Sequence, residues 1–267
     1  MGIAQSSARK PLGWRRHVPP AIFLVAVALL LASLSRPQVG GLPRREGTVI
    51  LAFDVSSSMR ADDVKPTRME AAKAAARSFV DKQPSTIQIG LVAFGDGGIT
   101  VQRPTTVKQD IVAAINRLTP EGGTSLGDGM IASLEAVTGK PIVLSEAALA
   151  GNLDGVDIGY FGSAAVVLLS DGENTSRFDP LIVAQLATNA GVRVFPIGLG
   201  SAKGATVEID GYQVATALNE ELLQEIAKVT TGTYYTAEDA SGLAKVYDTI
   251  DLKLTVKGER REVTSLA

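Results

Sequence analysis

The residues with the most evident chemical potential lie in one stretch, Val-Ile-Leu-Ala-Phe-Asp-Val-Ser-Ser-Ser at 49–58. Asp54, Ser56 and Ser58 fall at alternate positions directly after a run of five apolar residues. A carboxylate and two hydroxyls so placed form a small cluster of hard oxygen donors. Such donors suit Mg2+, Mn2+ or Ca2+ and do not select zinc or copper. Two later stretches are placed to complete the cluster: the glycine-rich segment 121–129, with Gly122-Gly123-Thr124-Ser125, and Ser170-Asp171-Gly172. Plainer readings exist for each piece. Serines after a strand commonly cap the following helix, and Asp54 alone would be a loop acid.

What the chain lacks narrows the chemistry further. Its 267 residues contain no cysteine and a single histidine, His17. Disulfides, thiolate catalysis and zinc-thiolate sites are therefore excluded. A Ser-His-Asp triad or a histidine-ligated metal within the later residues is excluded too. The formal net charge is −2, which gives no reason to propose nucleic acid as a partner.

The elements that must position the cluster follow from pattern. Residues 1–17 are polar and basic, with Arg9, Lys10, Arg15 and Arg16, and Trp14 beside them as an interfacial anchor would be. Residues 18–35 are almost wholly apolar and predict a transmembrane helix at the short end of the spanning range. A cleaved signal peptide is the competing reading of the same start. Residues 36–46, with Pro37 and Pro43 among glycines and arginines, read as a linker.

From residue 47 to 256 strands and helices alternate. Strands are expected at 49–53, 88–94, 99–102, 164–170, 192–197 and 232–235, with a hairpin at 206–214 turning on Asp210-Gly211. Helices are expected at 67–81, with Thr67 and Glu70 as a capping box, at 106–118, with Thr106 and Gln109 as the cap pair, and from the glycine-rich loop to Val137. Further helices are expected at 180–190, 220–229 and 241–252, with 139–162 as a surface insertion and 257–267 as a charged tail. This order predicts an α/β fold: a doubly wound, mainly parallel sheet with one antiparallel edge strand. Ligands in such sheets bind beyond the carboxyl ends of strands where the connections change direction. Asp54 and Asp171 each follow a buried strand directly, so neighbouring strands there would bring the two carboxylates together.

Asp-x-Ser-x-Ser at 54–58, Gly-Gly-Thr-Ser at 122–125 and Ser-Asp-Gly at 170–172 resemble, in that order, the metal-ion-dependent adhesion site (MIDAS) of von Willebrand factor type A (VWA) domains. The chain is also similar to the bacterial membrane-anchored, aerotolerance-operon (Bat-like) group, through Trp-Arg-Arg-His-x-Pro-Pro at 14–20 ahead of the apolar run. The resemblance implies a VWA/Rossmann-like fold with no catalysis and a divalent ion, Mg2+ or else Mn2+ or Ca2+. It implies direct binding by Ser56 and Ser58, direct or water-mediated binding by Thr124, and largely water-mediated roles for Asp54 and Asp171. It also implies a partner protein whose Asp or Glu completes the ion's shell, and assembly with a MoxR-type AAA+ ATPase or other VWA proteins. The domain would sit at the cell membrane, on its extracytoplasmic side. Relatives of this group often carry further spanning helices. The alternative class is a Mg2+-dependent phosphatase of haloacid-dehalogenase type, which also places an Asp after its first strand. Those enzymes want a second acid where Ser56 stands. Among the remaining candidates, Asp128 is expected as a helix-turn residue, Asp62 and Asp63 as first-turn or loop charges, and Met59 and Met69 as core or rim residues.

Overall fold

A computed structural model describes residues 17–34, 38–40, 44–45, 47–174, 178–200, 205–209, 212–216, 218–237, 240–249, 256–257 and 260–262. The basic segment 1–16, the centre of the linker, the Asp210-Gly211 turn and most of the tail lie outside the described residues. The chain divides into two compact units, residues 1–44 with 257–267, and residues 45–256.

In the first unit, helix α1 spans Val18–Leu34 and strand β1 (Gln38–Gly40) pairs antiparallel with β12 (Arg260–Glu262). Side chains of α1 such as Ile22, Phe23 and Leu24 are exposed. Its 17 residues rise about 26 Å at about 1.5 Å per residue, against about 30 Å of bilayer hydrocarbon. No helix among the described residues is long and apolar enough to cross a membrane. The short strands β2 (Arg44–Arg45) and β11 (Val256–Lys257) pair with each other.

The second unit begins with strand β3 (Gly47–Asp54), and its sheet runs β10-β7-β6-β3-β4-β5. The other members are β4 (Ile87–Phe94), β5 (Gly98–Thr105), β6 (Ala164–Ser170), β7 (Arg193–Leu199) and β10 (Tyr235–Ala237). All pairings of β10, β7, β6, β3 and β4 are parallel, and β5 joins the edge antiparallel to β4. The first strand sits inside the sheet with β4 on one side and β6 on the other, so the direction of winding reverses at the β3–β6 boundary.

Both faces of the sheet are covered, which is why these strands read as unbroken apolar runs. Val49, Leu51 and Phe53 join one core with α2 (Arg68–Lys82), α3 (Lys108–Asn116) and α8 (Ala240–Thr249). Ile50 and Ala52 join the other with α4 (Leu126–Thr138), α6 (Pro180–Asn189) and α7 (Glu220–Val229). A side-chain period of two sends neighbouring residues of each strand to opposite cores. Met59 and Met69 are core residues, as their apolarity suggests. Tyr234 and Tyr235 are half-buried against the two cores, one on each.

Two local differences from the sequence reading have simple causes. Helix α3 starts at Lys108, where Val107 offers no side-chain cap and the Thr105 hydroxyl accepts from the Val107 amide, so Thr106 and Gln109 are not its cap pair. The last strand begins at Tyr235 rather than residue 232, because the Gly232 amide donates to Ala227 O and closes α7. The insertion contains only one short helix, α5 (Glu146–Leu149). Strands β8 (Ala205–Ile209) and β9 (Tyr212–Thr216) form the expected hairpin.

Candidate metal centre

The winding reversal places the acid-terminated ends of β3 and β6 side by side, paired in register through Phe53 and Leu169. The next residues, Asp54 and Ser170, are joined directly: the Ser170 hydroxyl donates to Asp54 Oδ2 at 2.7 Å. The other oxygen of Asp54 accepts the Ser56 amide at 2.8 Å, which folds the chain back over the strand end. A 3-10 turn at Ser57–Arg60 follows and brings Ser58 round beneath Ser56. Ser58 Oγ donates to Asp171 Oδ2 at 2.5 Å. Ser56 Oγ lies 2.9 Å from Ser58 Oγ. A hydroxyl has one proton to give, and that of Ser58 goes to Asp171, so Ser56 donates to Ser58. The result is a relay of oxygens from Ser56 through Ser58 to Asp171.

The third stretch is docked by backbone contacts. The Ser57 amide donates to Gly122 O at 3.0 Å, and the Glu121 amide to Val55 O at 2.5 Å. Gly122 has φ +80°, and a Cβ there would stand 2.6 Å from Asp96 Oδ2. Asp96 Oδ1 in turn accepts the Gly123 amide at 2.7 Å, so the β4–β5 turn clamps the loop from outside. Thr124 on that loop is 3% exposed. Asn174, just past Asp171, accepts the Leu126 amide at the start of α4 at 3.1 Å. Asp128 lies in the first turn of α4 with its carboxylate on the Ser125 hydroxyl, as a helix-turn residue should.

The structure thus brings Asp54, Ser56, Ser58 and Asp171 into one hydrogen-bonded cluster and buries Thr124 on a loop tied to it. Both acids are fully buried. Burial, and then the charge of Asp171, push the Asp54 carboxyl up to about 7 from 3.8, against the pull of its bonds to Ser56 and Ser170. Two buried carboxylates that hold each other's charge in check are a place where a cation is favourable. Among the described residues no three His, Cys, Asp or Glu gather where they could hold a metal ion, so the hydroxyls are an essential part of any donor set here. Their separation of 2.9 Å is that of neighbouring oxygens around an octahedral ion with bonds of about 2.0–2.1 Å.

Sequence reasoning missed several members of the site. Asp63, expected as a loop charge, forms a two-pronged pair with Arg68: Nε to Oδ1 and Nη2 to Oδ2, both at 2.8 Å. Arg68 Nη1 reaches Asp171 Oδ2 at 3.3 Å. One signal was present. An arginine as the first residue of a helix opposes the helix dipole and asks for an anionic partner nearby. Asp96 and Asn174 carried no comparable signal, and Ser170 was read only as part of the Ser-Asp-Gly motif, with no role of its own. Asp62 is the exposed loop charge expected, paired with Lys65 at 2.7 Å.

Comparison with known proteins agrees with this architecture. Models of the von Willebrand factor type A domain match residues 49–173 and 161–249. A UPF0353 protein of Nocardia farcinica is 33% identical over 263 residues, covering 91% of this chain and 75% of that protein. Another, from Mycolicibacterium paratuberculosis, is 31% identical over 259 residues, covering 93% and 73%. Among solved structures, BatB from Bacteroides thetaiotaomicron aligns with a TM-score of 0.60 at 24% identity, covering 76% of this chain and 96% of that one. An aerotolerance-related membrane protein from Bacteroides fragilis aligns with a TM-score of 0.62 at 24% identity, covering 78% and 98%. A proximal thread matrix protein of the mussel byssus, solved with a zinc-occupied MIDAS motif, aligns with a TM-score of 0.53 at 22% identity, covering 80% and 47%. Matched in sequence along nearly its whole length and in fold across the sheet that carries the acid cluster, the chain belongs to the UPF0353 proteins and carries a von Willebrand factor type A domain.

Proposed function

We propose that this protein is a membrane-anchored, non-enzymatic binding module. It takes a divalent cation at Asp54, Ser56, Ser58, Thr124 and Asp171, and through that ion an Asp or Glu of a partner protein. The observation that carries the reading is the oxygen relay from Ser56 through Ser58 to Asp171, with Asp54 locked beside it by Ser170. Hydroxyls as donors leave a bound cation electron-poor. Mg2+ wants about six oxygens, and a shell with few protein donors keeps positions for water or an incoming carboxylate. The zinc-occupied MIDAS of the mussel protein supports a cation at a site of this fold.

The phosphatase alternative finds no support in the donor set. Asp54 is buried and has both oxygens engaged, by Ser56 and Ser170. The residue two places on is a serine that cannot serve as the acid-base group. Anchoring at the cell membrane, with the domain on the extracytoplasmic side, is supported by the apolar character of α1 and by the basic residues that precede it.

The test is titration calorimetry of the full chain in detergent with Mg2+, before and after EDTA. Saturable binding is expected, with a Ser56→Ala variant at least about tenfold weaker. Heat-silent titration, or an unaffected variant, removes the cation reading. Capture of partners from membranes, expected with Mg2+ and lost with chelator, tests the second half.

A further inference from the structure

Arg68 is the most deeply buried basic residue among the described residues. Its side chain is 0% exposed and ranks among the largest fully buried side chains. Burying a guanidinium costs several kcal/mol unless its donors are matched. Asp63, with a side chain 16% exposed, takes two of those donors at 2.8 Å each and already neutralises the charge. The third contact is different. Nη1 stands 3.3 Å from Asp171 Oδ2, a longer and weaker approach to the oxygen that also accepts Ser58 Oγ. Gly200, at φ +128°, closes the other side of the slot. A Cβ there would lie 2.7 Å from Nη2 and 2.8 Å from Cζ. The fork therefore lies between the two acids and the Gly200 backbone.

We infer that Arg68 is a resident counter-cation of Asp171 that sets how tightly the centre holds a divalent ion, and that Asp63 sets how much of the guanidinium Asp171 receives. The inference rests on the cation reading above. In the metal-free protein the guanidinium relieves the repulsion between two buried carboxylates and keeps Asp171 under the serine relay. The charge of a bound dication and that of the guanidinium would repel, and both would compete for Asp171. The ion is held less tightly than the two carboxylates alone would hold it. A partner carboxylate then restores the charge balance, so the ion and the partner bind more strongly together than either binds alone. Asp63 acts as the counterweight: the firmer its grip on the fork, the more of Asp171 is left for the ion.

Arg68 and Asp63 are positioning residues in this scheme, and the two substitutions move affinity in opposite directions. Calorimetry of the full chain with Mg2+ is expected to show Arg68→Gln binding at least about tenfold tighter than wild type. Asp63→Asn, which releases the fork onto Asp171, is expected to bind roughly ten- to a hundredfold weaker. A second readout is thermal. Arg68→Gln lowers the melting temperature of the metal-free protein, yet gains more on addition of Mg2+ than wild type does. If both variants weaken Mg2+ binding, or if Arg68→Gln leaves it unchanged, the pair is a structural strut and the inference is overturned. If Arg68→Gln does not fold, Asp63→Asn decides alone: weaker binding supports the scheme, unchanged or tighter binding ends it. A wild-type chain that binds no Mg2+ fails differently, since it removes the cation reading itself and this inference with it.

Discussion

Asp54 and Asp171 occupy the same place in two neighbouring strands, yet their surroundings differ. Asp54 is surrounded by neutral donors, the Ser56 amide and the Ser170 hydroxyl. Asp171 meets the Ser58 hydroxyl and the Glu173 amide, and in addition the Arg68 guanidinium. The fold gives both acids burial and proximity, but only one a fixed positive neighbour. Position in the sheet therefore makes a pair of carboxylates, and the side chains that reach in from the α2 end decide what each is good for. Asp171 has a charge partner in Arg68, whereas burial and the neighbouring acid push the Asp54 carboxyl up.

The largest expected effect that can break this contrast is on stability. Asp171→Asn removes the acceptor of both Ser58 and Arg68 and is expected to destabilise the metal-free protein by roughly 1–3 kcal/mol, read by chemical denaturation. Asp54→Asn is expected to change metal-free stability by less than about 0.5 kcal/mol, since it is an isosteric neutral stand-in for a carboxyl already inclined to be neutral. Equal losses for the two would show that the neighbours do not distinguish them. Both substitutions are expected to remove measurable Mg2+ binding.

A pH scan sharpens the same point. The folded value for Asp54, about 7, lies above the ordinary 3.8, so folding favours its protonated form. Its contribution to stability is fully present below about 3.8 and is lost as the pH rises through about 7. The melting temperature of the metal-free protein is expected to decline across that window, and Asp54→Asn to flatten the decline. Saturating Mg2+ reverses the sign, because the ion binds the ionised carboxylates and releases protons. A further effect concerns the loop that carries Thr124. Gly122→Ala forces a side chain into a φ of +80° against Asp96, at a cost of about 1–2 kcal/mol. Mg2+ affinity is expected to fall with it, while the metal-free contrast between Asp54 and Asp171 stays as in wild type.

Much of this was legible in the residues. Buried parallel strands announce themselves as continuous apolar runs, so β3, β4 and β6 could be placed to within a residue or two. The alternation of strands and helices then required the doubly wound sheet that puts Asp54 beside Asp171. Ser56 and Ser58 could be read because they share a local segment with Asp54. What escaped was contact at a distance with no local pattern. Arg68, at the unfavourable end of a helix dipole, asks for an anion, but nothing in the sequence says that Asp63 and the acid after β6 supply it. Asp96 sits in a glycine-rich turn of the kind that hairpins use, and nothing near it in sequence says that it grips the loop at Gly123. The N-terminal apolar run was plain, but its 17-residue helix is shorter than the hydrocarbon thickness of a bilayer.

The parallel pairing of β3 with β6, from Thr48–Ala164 to Phe53–Leu169, has a mechanical consequence. A partner tugging on an ion at the tips of these two strands pulls along both of them at once and in the same direction. The ladders that join them to β4 and β7 meet such a force in shear, many hydrogen bonds together, instead of unzipping in sequence. A load applied at that end of the sheet would thus spread over the four adjoining parallel strands β4, β3, β6 and β7.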